Sequence, residues 1–249
     1  MKRLKNFSKI RSYVDWPKVK KGEILIIPSD NRLMDDPPRL NKKSSWPEWF
    51  KSPLIAKQGT IVSCKGVQDY LQLGLTVPLW CDVEVFQVGM NDVRTRTSDR
   101  AFDTDQFGAN MTEGCPIAQG REMEDAGWPK INSPYLYKTA PGYSTMVLPV
   151  AYEPDPRYQV LPAIIHTDFY HNINAVLRVM VKDSFVIKVG TPIYQLVVFK
   201  RGDTINKLIM GDETIHSSGM NRGIGHGGIN KFSRKGIYRK HQRDADANL

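Results

Sequence analysis

The pair His166 and Asp168, in the segment LPAIIHTDFYHN, is the first place where this chain could do chemistry. Residues two apart on a β-strand lie on the same face. With His216, fifty residues further on, they would form the 2-His-1-carboxylate set that binds Fe(II) and leaves positions open for oxygen and substrate. Arg222 or Arg234 could then hold the carboxylate of a 2-oxoglutarate co-substrate. The sequence therefore contains candidate ligands for an iron-dependent oxygenase.

Two other interpretations of the same segment stay open. Asp168 could act alone as a general base, as in a divergent nucleoside triphosphate hydrolase that uses Mg²⁺. Alternatively, His166 and Asp168 form a hydrogen-bonded pair at a contact between subunits. His171 would project to the opposite face from His166, so it is a poor second ligand. Because His-x-Asp is a short pattern in a chain with five histidines, we favour the subunit contact over the metal site.

The positive charge of the chain is concentrated at its two ends. The net charge is +9; residues 1–21 contribute +7 and residues 217–249 contribute +5, which leaves the middle at about −3. Basic ends of this kind often contact an acidic partner. We expect the C-terminal end to bind nucleic acid or an acidic protein surface, through Arg222, Lys231, Arg234, Lys235, Arg239, Lys240 and Arg243. The glycine-rich stretch NRGIGHGGIN within it is typical of a flexible arm.

Length and composition limit the class of protein. The chain has 249 residues, of which 41% are hydrophobic and 24% are charged, as in an ordinary globular protein. No apolar run is long enough to span a membrane, and the basic N-terminus lacks the apolar core of a signal peptide. The three cysteines form no Cys-x-x-Cys pair. This pattern argues against a disulfide framework or a structural zinc site and indicates a reducing compartment.

Short β-rich runs separated by turn residues predict a mostly β chain. We expect three parts. Residues 1–60 hold one strand and an arm rich in proline and tryptophan. Residues 61–203 form a barrel-like or clip-like core with a polar excursion at 90–128, and residues 204–249 form a basic, glycine-rich arm. In the core, a short helix is predicted to end at Gly74, a strand follows over 75–89, and a Pro-Gly turn separates two strands within 133–152.

Three consecutive segments, APGYSTMVLPV, LPAIIHTDFYHNINAVLRV and SFVIKVGTPIYQLVVFKR, together resemble the dUTPase family of β-clip trimers. The resemblance covers about residues 139–201. It is best in the last segment, where Phe185, Ile187, Gly190, Ile193 and Gln195 are in register with the family pattern. It implies a β-clip or distorted-barrel fold and a homotrimer.

The same resemblance implies that the catalytic motif is degenerate. His166 occupies the position of the family's catalytic aspartate, and Phe169 occupies the position of the tyrosine that stacks on deoxyribose. Asp168 matches the second acid of the motif. The family's arginine-serine motif has no match, and its glycine-rich C-terminal arm has only a loose counterpart in NRGIGHGGIN. The resemblance therefore implies that the fold is kept and that the chemistry is lost.

Residues 60–202 also resemble a family of uncharacterised proteins of tailed bacteriophages. The shared motifs are Cys64, Gly66, Asp69 and Tyr70; Pro78 to Trp80 with Asp82; Pro141 to Ser144; and Gly190 to Pro192 with Gln195. This likeness implies a phage gene product and brings no established chemistry.

We therefore expect a phage-encoded, non-enzymatic protein with a dUTPase-like fold, acting in an oligomeric assembly such as the virion or as an accessory protein. No cofactor is expected. The expected partners are further copies of the chain, other phage proteins and, through the basic tail, nucleic acid, but no membrane. The expected location is the virion or the host cytoplasm. The alternatives are the iron-dependent oxygenase and the divergent hydrolase described above.

Overall fold

Most of the β-rich runs predicted from the sequence form strands in the computed structural model of the chain. It describes residues 16–52, 61–89, 92–99, 128–152, 155–203 and 205–215, together with Ala247. The strands of the described residues are β1 (Ile24–Pro28), β2 (Arg39–Leu40), β3 (Leu75–Pro78), β4 (Val83–Gly89), β5 (Asp92–Thr97), β6 (Lys130–Ile131), β7 (Tyr135–Thr139), β8 (Tyr143–Pro149), β9 (Tyr158–Val160), β10 (Ala163–Ile165), β11 (Ala175–Val179), β12 (Phe185–Ile187) and β13 (Pro192–Lys200). Two short helices, α1 (Glu48–Lys51) and α2 (Lys65–Tyr70), and three 3₁₀ turns (Asn31–Met34, Lys43–Ser45 and Ile61–Ser63) accompany them. The predicted mostly β fold is confirmed.

The strands form four antiparallel groups. The largest is a five-stranded sheet in the order β10-β8-β13-β3-β2. Two three-stranded groups have the orders β6-β11-β9 and β12-β4-β5, and β1 pairs with β7. In the five-stranded sheet, the longest pairing joins β13 to β8, from Tyr194 opposite Pro149 to Lys200 opposite Tyr143. This register places the residue after β13 beside the turn that precedes β8.

The core is built from side chains that alternate along the strands. In β7 and β11, every second residue is buried, as expected for strands with one face toward the core. Tyr137 and Tyr194 are fully buried, and their hydroxyl groups lie 3.1 Å apart. Burial raises the pKa of both phenols, so they stay neutral hydrogen-bonding groups. The tyrosine pair thereby links the five-stranded sheet to the β1–β7 pair.

The single strand predicted over residues 75–89 is two strands that belong to different sheets. β3 ends at Pro78, which has no backbone N–H to continue a ladder. Leu79 then bonds to the Gly190–Thr191 turn, donating to the Thr191 carbonyl at 2.8 Å and accepting from the Gly190 N–H at 2.7 Å. The chain therefore changes sheet between β3 and β4.

The predicted short helix is present, but α2 ends at Tyr70 with Leu71 as its C-cap, so the predicted end at Gly74 is wrong. Gly74 lies in the turn between α2 and β3, and a close backbone contact requires glycine there. Its φ is +69°, and a Cβ at this position would lie 2.0 Å from the carbonyl oxygen of Leu196 in β13. Any side chain would push the turn away from the central strand of the largest sheet. The absence of a side chain at Gly74 therefore allows the helix and β13 to come together.

The proline- and tryptophan-rich arm packs through its aromatic residues. Phe50 is buried and Trp46 nearly so, and the two rings meet edge to face at 5.1 Å. Trp49 is more exposed and donates its indole N–H to the Tyr152 carbonyl at 3.0 Å. Within the predicted polar excursion, β5 is the strand expected from VRTRTSD, and residues 100–127 lie outside the described part. No helix in the described part is long and apolar enough to cross a membrane.

Candidate functional site

The segment with His166 and Asp168 is a turn, whereas the sequence predicted a strand. β10 ends at Ile165, and residues 167–169 form a turn. The N–H groups of Phe169 and Tyr170 donate to the carbonyl of His166 at 3.2 and 2.9 Å. The expectation that His166 and Asp168 share one face of a strand is therefore wrong, because the backbone folds back immediately after β10.

Thr167 fixes this turn to the core. Its side chain is fully buried, and its hydroxyl lies 2.9 Å from that of Thr139 and 2.8 Å from that of Thr145. Its carbonyl accepts from the Thr139 N–H at 3.2 Å. Because the residue between them is held inward, His166 and Asp168 lie toward the surface on either side of it. His166 is exposed and Asp168 is half-buried.

Asp168 is bound by Arg201, the first residue after β13. The guanidinium makes a two-pronged contact, with Nη1 donating to Oδ1 at 2.6 Å and Nη2 donating to Oδ2. The backbone N–H of Gly142 also donates to Oδ2, at 3.0 Å. The carboxylate side chain is only 11% exposed. Both oxygens of Asp168 are therefore already hydrogen-bonded within the chain.

This arrangement keeps Asp168 ionised. The hydrogen bond from Arg201, helped by that from Gly142 and opposed by partial burial, lowers the pKa of the carboxyl to about 2. A general base working near neutral pH needs a pKa closer to that pH and a free lone pair. The pKa of Asp168 is far from that range, and its carboxylate already accepts three hydrogen bonds. Its geometry therefore suits an ion pair that closes the turn better than it suits proton transfer.

His166 is linked to the same ion pair through Ser144 of β8. Its Nδ1 lies 2.8 Å from the Ser144 hydroxyl, which also accepts from Arg201 Nη1 at 3.3 Å. The ring of Phe169 packs against His166 and Arg201. Its centroid lies 5.6 Å from that of the His166 ring and 5.7 Å from the Arg201 guanidinium carbon. His166, Ser144, Arg201 and Asp168 therefore form one polar chain, which we call the turn cluster, with Phe169 as its exposed cover.

The iron set stays a prediction, because His216 lies outside the described residues. Among the described residues, no three His, Cys, Asp or Glu side chains are grouped so that they could hold a metal ion. Asp168, the candidate ligand that would supply the carboxylate, is bound by Arg201 instead. The sites expected in the C-terminal tail, at Arg222, Lys231, Arg234, Lys235, Arg239, Lys240 and Arg243, also lie outside the described residues and stay predictions.

His171 has different partners from His166, although the segment between them is a turn and not the strand on which the predicted opposite face depended. Its Nδ1 is 3.1 Å from the carbonyls of both Tyr137 and Thr167, and its ring packs on Trp16 at 4.6 Å. The Lys138 ammonium lies over the other ring of this stack, 5.5 Å from the Trp16 centroid. His171 therefore links Trp16 to the carbonyl of Thr167 in the turn.

Several residues that carry the phage resemblance hold turns together. Asp82 accepts from the Val189 N–H and from the Lys188 ammonium, each at 2.8 Å. Gln195 is buried and donates its amide to the Leu73 carbonyl at 2.6 Å. Cys81 lies beside this motif without being part of it, and burial raises the pKa of its thiol to about 11, which keeps it protonated and unreactive. These side chains support the fold in the described part of the chain.

Sequence reasoning missed Arg201, Ser144 and Thr167. Arg201 is 33 residues from Asp168, and only the β8–β13 register brings the two together. Ser144 and Thr167 lie inside the motifs PGYS and HTD, but their neighbours are Tyr143 and Thr145, and His166 and Asp168. No apolar pattern directly around them indicated that both side chains are buried.

No family model matches the chain, and no curated protein matches it. Among solved structures, the chain is similar to one described as "EIAV dUTPase native". The match has 9% sequence identity and a TM-score of 0.33, and it covers 56% of this chain and 85% of that chain. At this identity and TM-score, the likeness carries no information about catalysis.

Proposed function

We propose that this chain is a non-enzymatic, phage-encoded protein with a dUTPase-like fold, which acts in an oligomeric assembly such as the virion. The observation that carries the proposal is the state of the turn cluster. Arg201 and Gly142 bind both oxygens of Asp168, and an imidazole stands where the resemblance places the catalytic acid. The residues that could activate water are therefore used to close a turn.

The chemistry of the replaced positions supports this proposal. Hydrolysis of a nucleoside triphosphate needs a group that accepts a proton from water while other groups bind the phosphates. At neutral pH an imidazole cannot supply the negative charge of a carboxylate, and Nδ1 of His166 is engaged by Ser144. Phe169 has no hydroxyl, and its ring covers Arg201. Arg201, the cation of the cluster, is neutralised by Asp168 and poorly placed to bind phosphate.

The packing of the residues behind the resemblance supports the fold part of the proposal. Each of them has the structural role that the register requires, since the apolar ones are buried, the glycine has a positive φ and the glutamine is enclosed. They are Phe185, Ile187, Gly190, Ile193 and Gln195. The burial and backbone conformation of these five residues are therefore those expected if the resemblance to a β-clip fold is correct.

The exposed surface around the turn cluster supports the assembly part. Ile164, Phe169 and Tyr170, which we call the aromatic patch, are each between 55% and 67% exposed. Contiguous exposed apolar side chains often mark a surface that contacts another protein. In an assembly, this surface would be covered by a neighbour.

Incubation of the purified full chain with dUTP and the other nucleoside triphosphates in the presence of Mg²⁺ tests the proposal. We expect no release of pyrophosphate above a buffer control. Robust release from any nucleotide would reject the non-enzymatic assignment, and its loss in an Asp168→Asn variant would favour the divergent hydrolase. The matched variant His166→Asp tests whether the missing acid is sufficient to restore activity.

Metal analysis of the same preparation tests the iron prediction. We expect no stoichiometric iron after purification and incubation with Fe(II) under anaerobic conditions. Bound iron that is lost in both His166→Ala and His216→Ala variants would favour the oxygenase. His171→Ala is the control, because His171 belongs neither to the predicted iron set nor to the turn cluster.

A further inference from the structure

A cavity of about 180 Å³ lies against the β13-β3-β2 side of the five-stranded sheet. This volume is several times what one buried water needs. The residues around the cavity are separate from the turn cluster. They include Asp36 just before β2, Arg39 in β2, Thr76 in β3 and Gln195 in β13. The cavity is therefore a second place where the chain could bind a small molecule.

Gln195 gives the cavity a buried hydrogen-bond acceptor. The residue is 4% exposed, and its Nε2 donates to the Leu73 carbonyl at 2.6 Å. The same carbonyl accepts from Asn41 Nδ2 at 2.8 Å. Because a carbonyl can only accept, the amide nitrogen of Gln195 must face Leu73, and Oε1 is left for the cavity. No described residue donates to Oε1, so a ligand that brings an N–H group would satisfy it.

An ion pair stands at the mouth of the cavity. Arg39 Nη2 donates to Asp36 Oδ1, and the two side chains are 69% and 42% exposed. The other carboxylate oxygen, Oδ2, lies 3.7 Å from the point where a Cβ on Gly190 would be, so the missing side chain of Gly190 leaves space beside it. Within the described part of the chain, neither charged side chain makes a further hydrogen bond. The mouth therefore offers an anionic oxygen beside the remaining N–H donors of a guanidinium.

The rest of the cavity wall is apolar or hydrogen-bonded within the chain. The Thr76 hydroxyl donates to Asn41 Oδ1 at 2.7 Å, and the Ser45 hydroxyl donates to the Lys42 carbonyl at 2.7 Å. The apolar residues of the wall are Pro47, Leu71, Pro78, Val150, Ala151 and Pro192. Such a wall suits the methylene groups of a ligand whose polar groups lie at its two ends.

We propose that this cavity binds a free α-amino acid with an amide side chain. The α-ammonium contacts the Asp36 carboxylate, and the α-carboxylate contacts the Arg39 guanidinium, so each charge of the ligand meets its opposite at the mouth. The side-chain NH₂ donates to Gln195 Oε1 at the buried end. A phosphate or another anion fits less well, because the buried group is an acceptor and Arg39 is paired with Asp36. This site goes beyond the proposed assembly and does not depend on it.

Calorimetric titration of the full chain with two matched pairs of amino acids tests the ligand class. The pairs are L-glutamine with L-glutamate and L-asparagine with L-aspartate. We expect one of the amides to bind at one site per chain and its acid to bind at least tenfold more weakly. The acid has nearly the same shape, but it brings a negative oxygen and no N–H group to Gln195 Oε1. Absence of binding by both amides, or equal affinity for an amide and its acid, would overturn the proposal.

Three variants test the assigned contacts with the amide that binds. Asp36→Asn and Arg39→Gln each remove one charge from the mouth, and Gln195→Met removes the buried acceptor. We expect each to weaken binding at least tenfold. The control is Arg96→Gln, because Arg96 forms a similarly exposed ion pair with Glu84 that is not part of the cavity wall. This variant should bind as the unmodified chain does.

The first two variants also separate a binding role from a structural one. Asp36 and Arg39 are exposed enough that their substitution should leave the thermal unfolding temperature unchanged. Unchanged affinity in both variants would overturn the proposal, whatever the result for Gln195→Met. Sedimentation of the unmodified chain as a monomer would reject the proposed assembly and leave the cavity site in place.

Discussion

The Asp168–Arg201 ion pair should make a measurable contribution to stability that depends on pH. Arg201 lowers the pKa of Asp168 from 3.8 to about 2. A difference of this size corresponds to roughly 2 kcal/mol between the charged and neutral forms of the carboxyl. The Arg201 side chain is 31% exposed, so solvent screening reduces this value. We expect the carboxylate to contribute about 1–2 kcal/mol to the free energy of unfolding at pH 7.

The sign of the pH dependence follows from the lowered pKa. A carboxyl with a lower pKa in the folded than in the unfolded chain stabilises the fold above the unfolded value and loses that effect as the pH falls through the folded value. The stabilisation should therefore be complete above about pH 4 and should disappear toward pH 2. At pH 3 it should be about half of its value at neutral pH.

A double-mutant cycle isolates this contribution from the other carboxyls that titrate in the same range. The variants are Asp168→Asn, which keeps an acceptor for the Gly142 N–H, Arg201→Gln, and the two together. Urea unfolding at pH 7 and pH 3 gives the coupling free energy in each condition. The surface pair of Lys200 and Asp203, at 3.4 Å and more than half exposed, is the control and should show a coupling close to zero. A coupling near zero for Asp168 and Arg201 at pH 7, or one that is unchanged at pH 3, would refute the reasoning.

Three further predictions test the close contact at Gly74, the buried hydroxyl group and the basic tail. Gly74→Ala should lower the free energy of unfolding by about 3 kcal/mol or more, because its Cβ would meet the Leu196 carbonyl at 2.0 Å. Gly142→Ala, with a similar φ and no atom within 4 Å, should cost only about 1 kcal/mol; equal losses in thermal unfolding would contradict this. Thr167→Val should cost about 1–3 kcal/mol in urea unfolding, because its two threonine partners lose a buried hydroxyl, and a neutral result would count against the role given to Thr167. Deleting residues 217–249 should abolish salt-sensitive binding to nucleic acid in a mobility-shift titration, and binding that survives the deletion would exclude the tail.

The strands with alternating or continuous apolar residues were predictable from the sequence. β1, β7, β8 and β13 lie within the runs predicted for them, and Gly142 has the positive φ expected of a Pro-Gly turn. Local patterns specify these elements because each strand buries side chains with a period of two or is enclosed on both faces. The helix before β3 was predictable for the same local reason, although it ends at Tyr70 and not at Gly74.

The turn after β10 could not be read from local pattern. LPAIIHTDF looks like one continuous strand, because Thr167 and Asp168 do not distinguish a strand from a turn. The backbone turns because Thr167 finds two hydroxyl partners on other strands, and those contacts exist only in the folded chain. Arg201 could not be predicted as the partner of Asp168 for a related reason. The register of β8 against β13 decides which residue after β13 reaches the turn.

The Asp168–Arg201 ion pair holds the turn after β10 together and also makes Asp168 unsuited to act as a general base. Arg201 donates its backbone N–H to the Gly142 carbonyl at 2.8 Å, and the Gly142 N–H donates to Asp168, so three chain segments close on one carboxylate. A carboxylate that closes the fold in this way has a low pKa and is a weak proton acceptor. The outer side of the turn is where Phe169 and Tyr170 are exposed, beside β10, which is an outer strand of its sheet within the described residues. The polar groups of the turn face inward and its aromatic groups face outward, which is the arrangement that the proposed assembly needs at a surface between subunits.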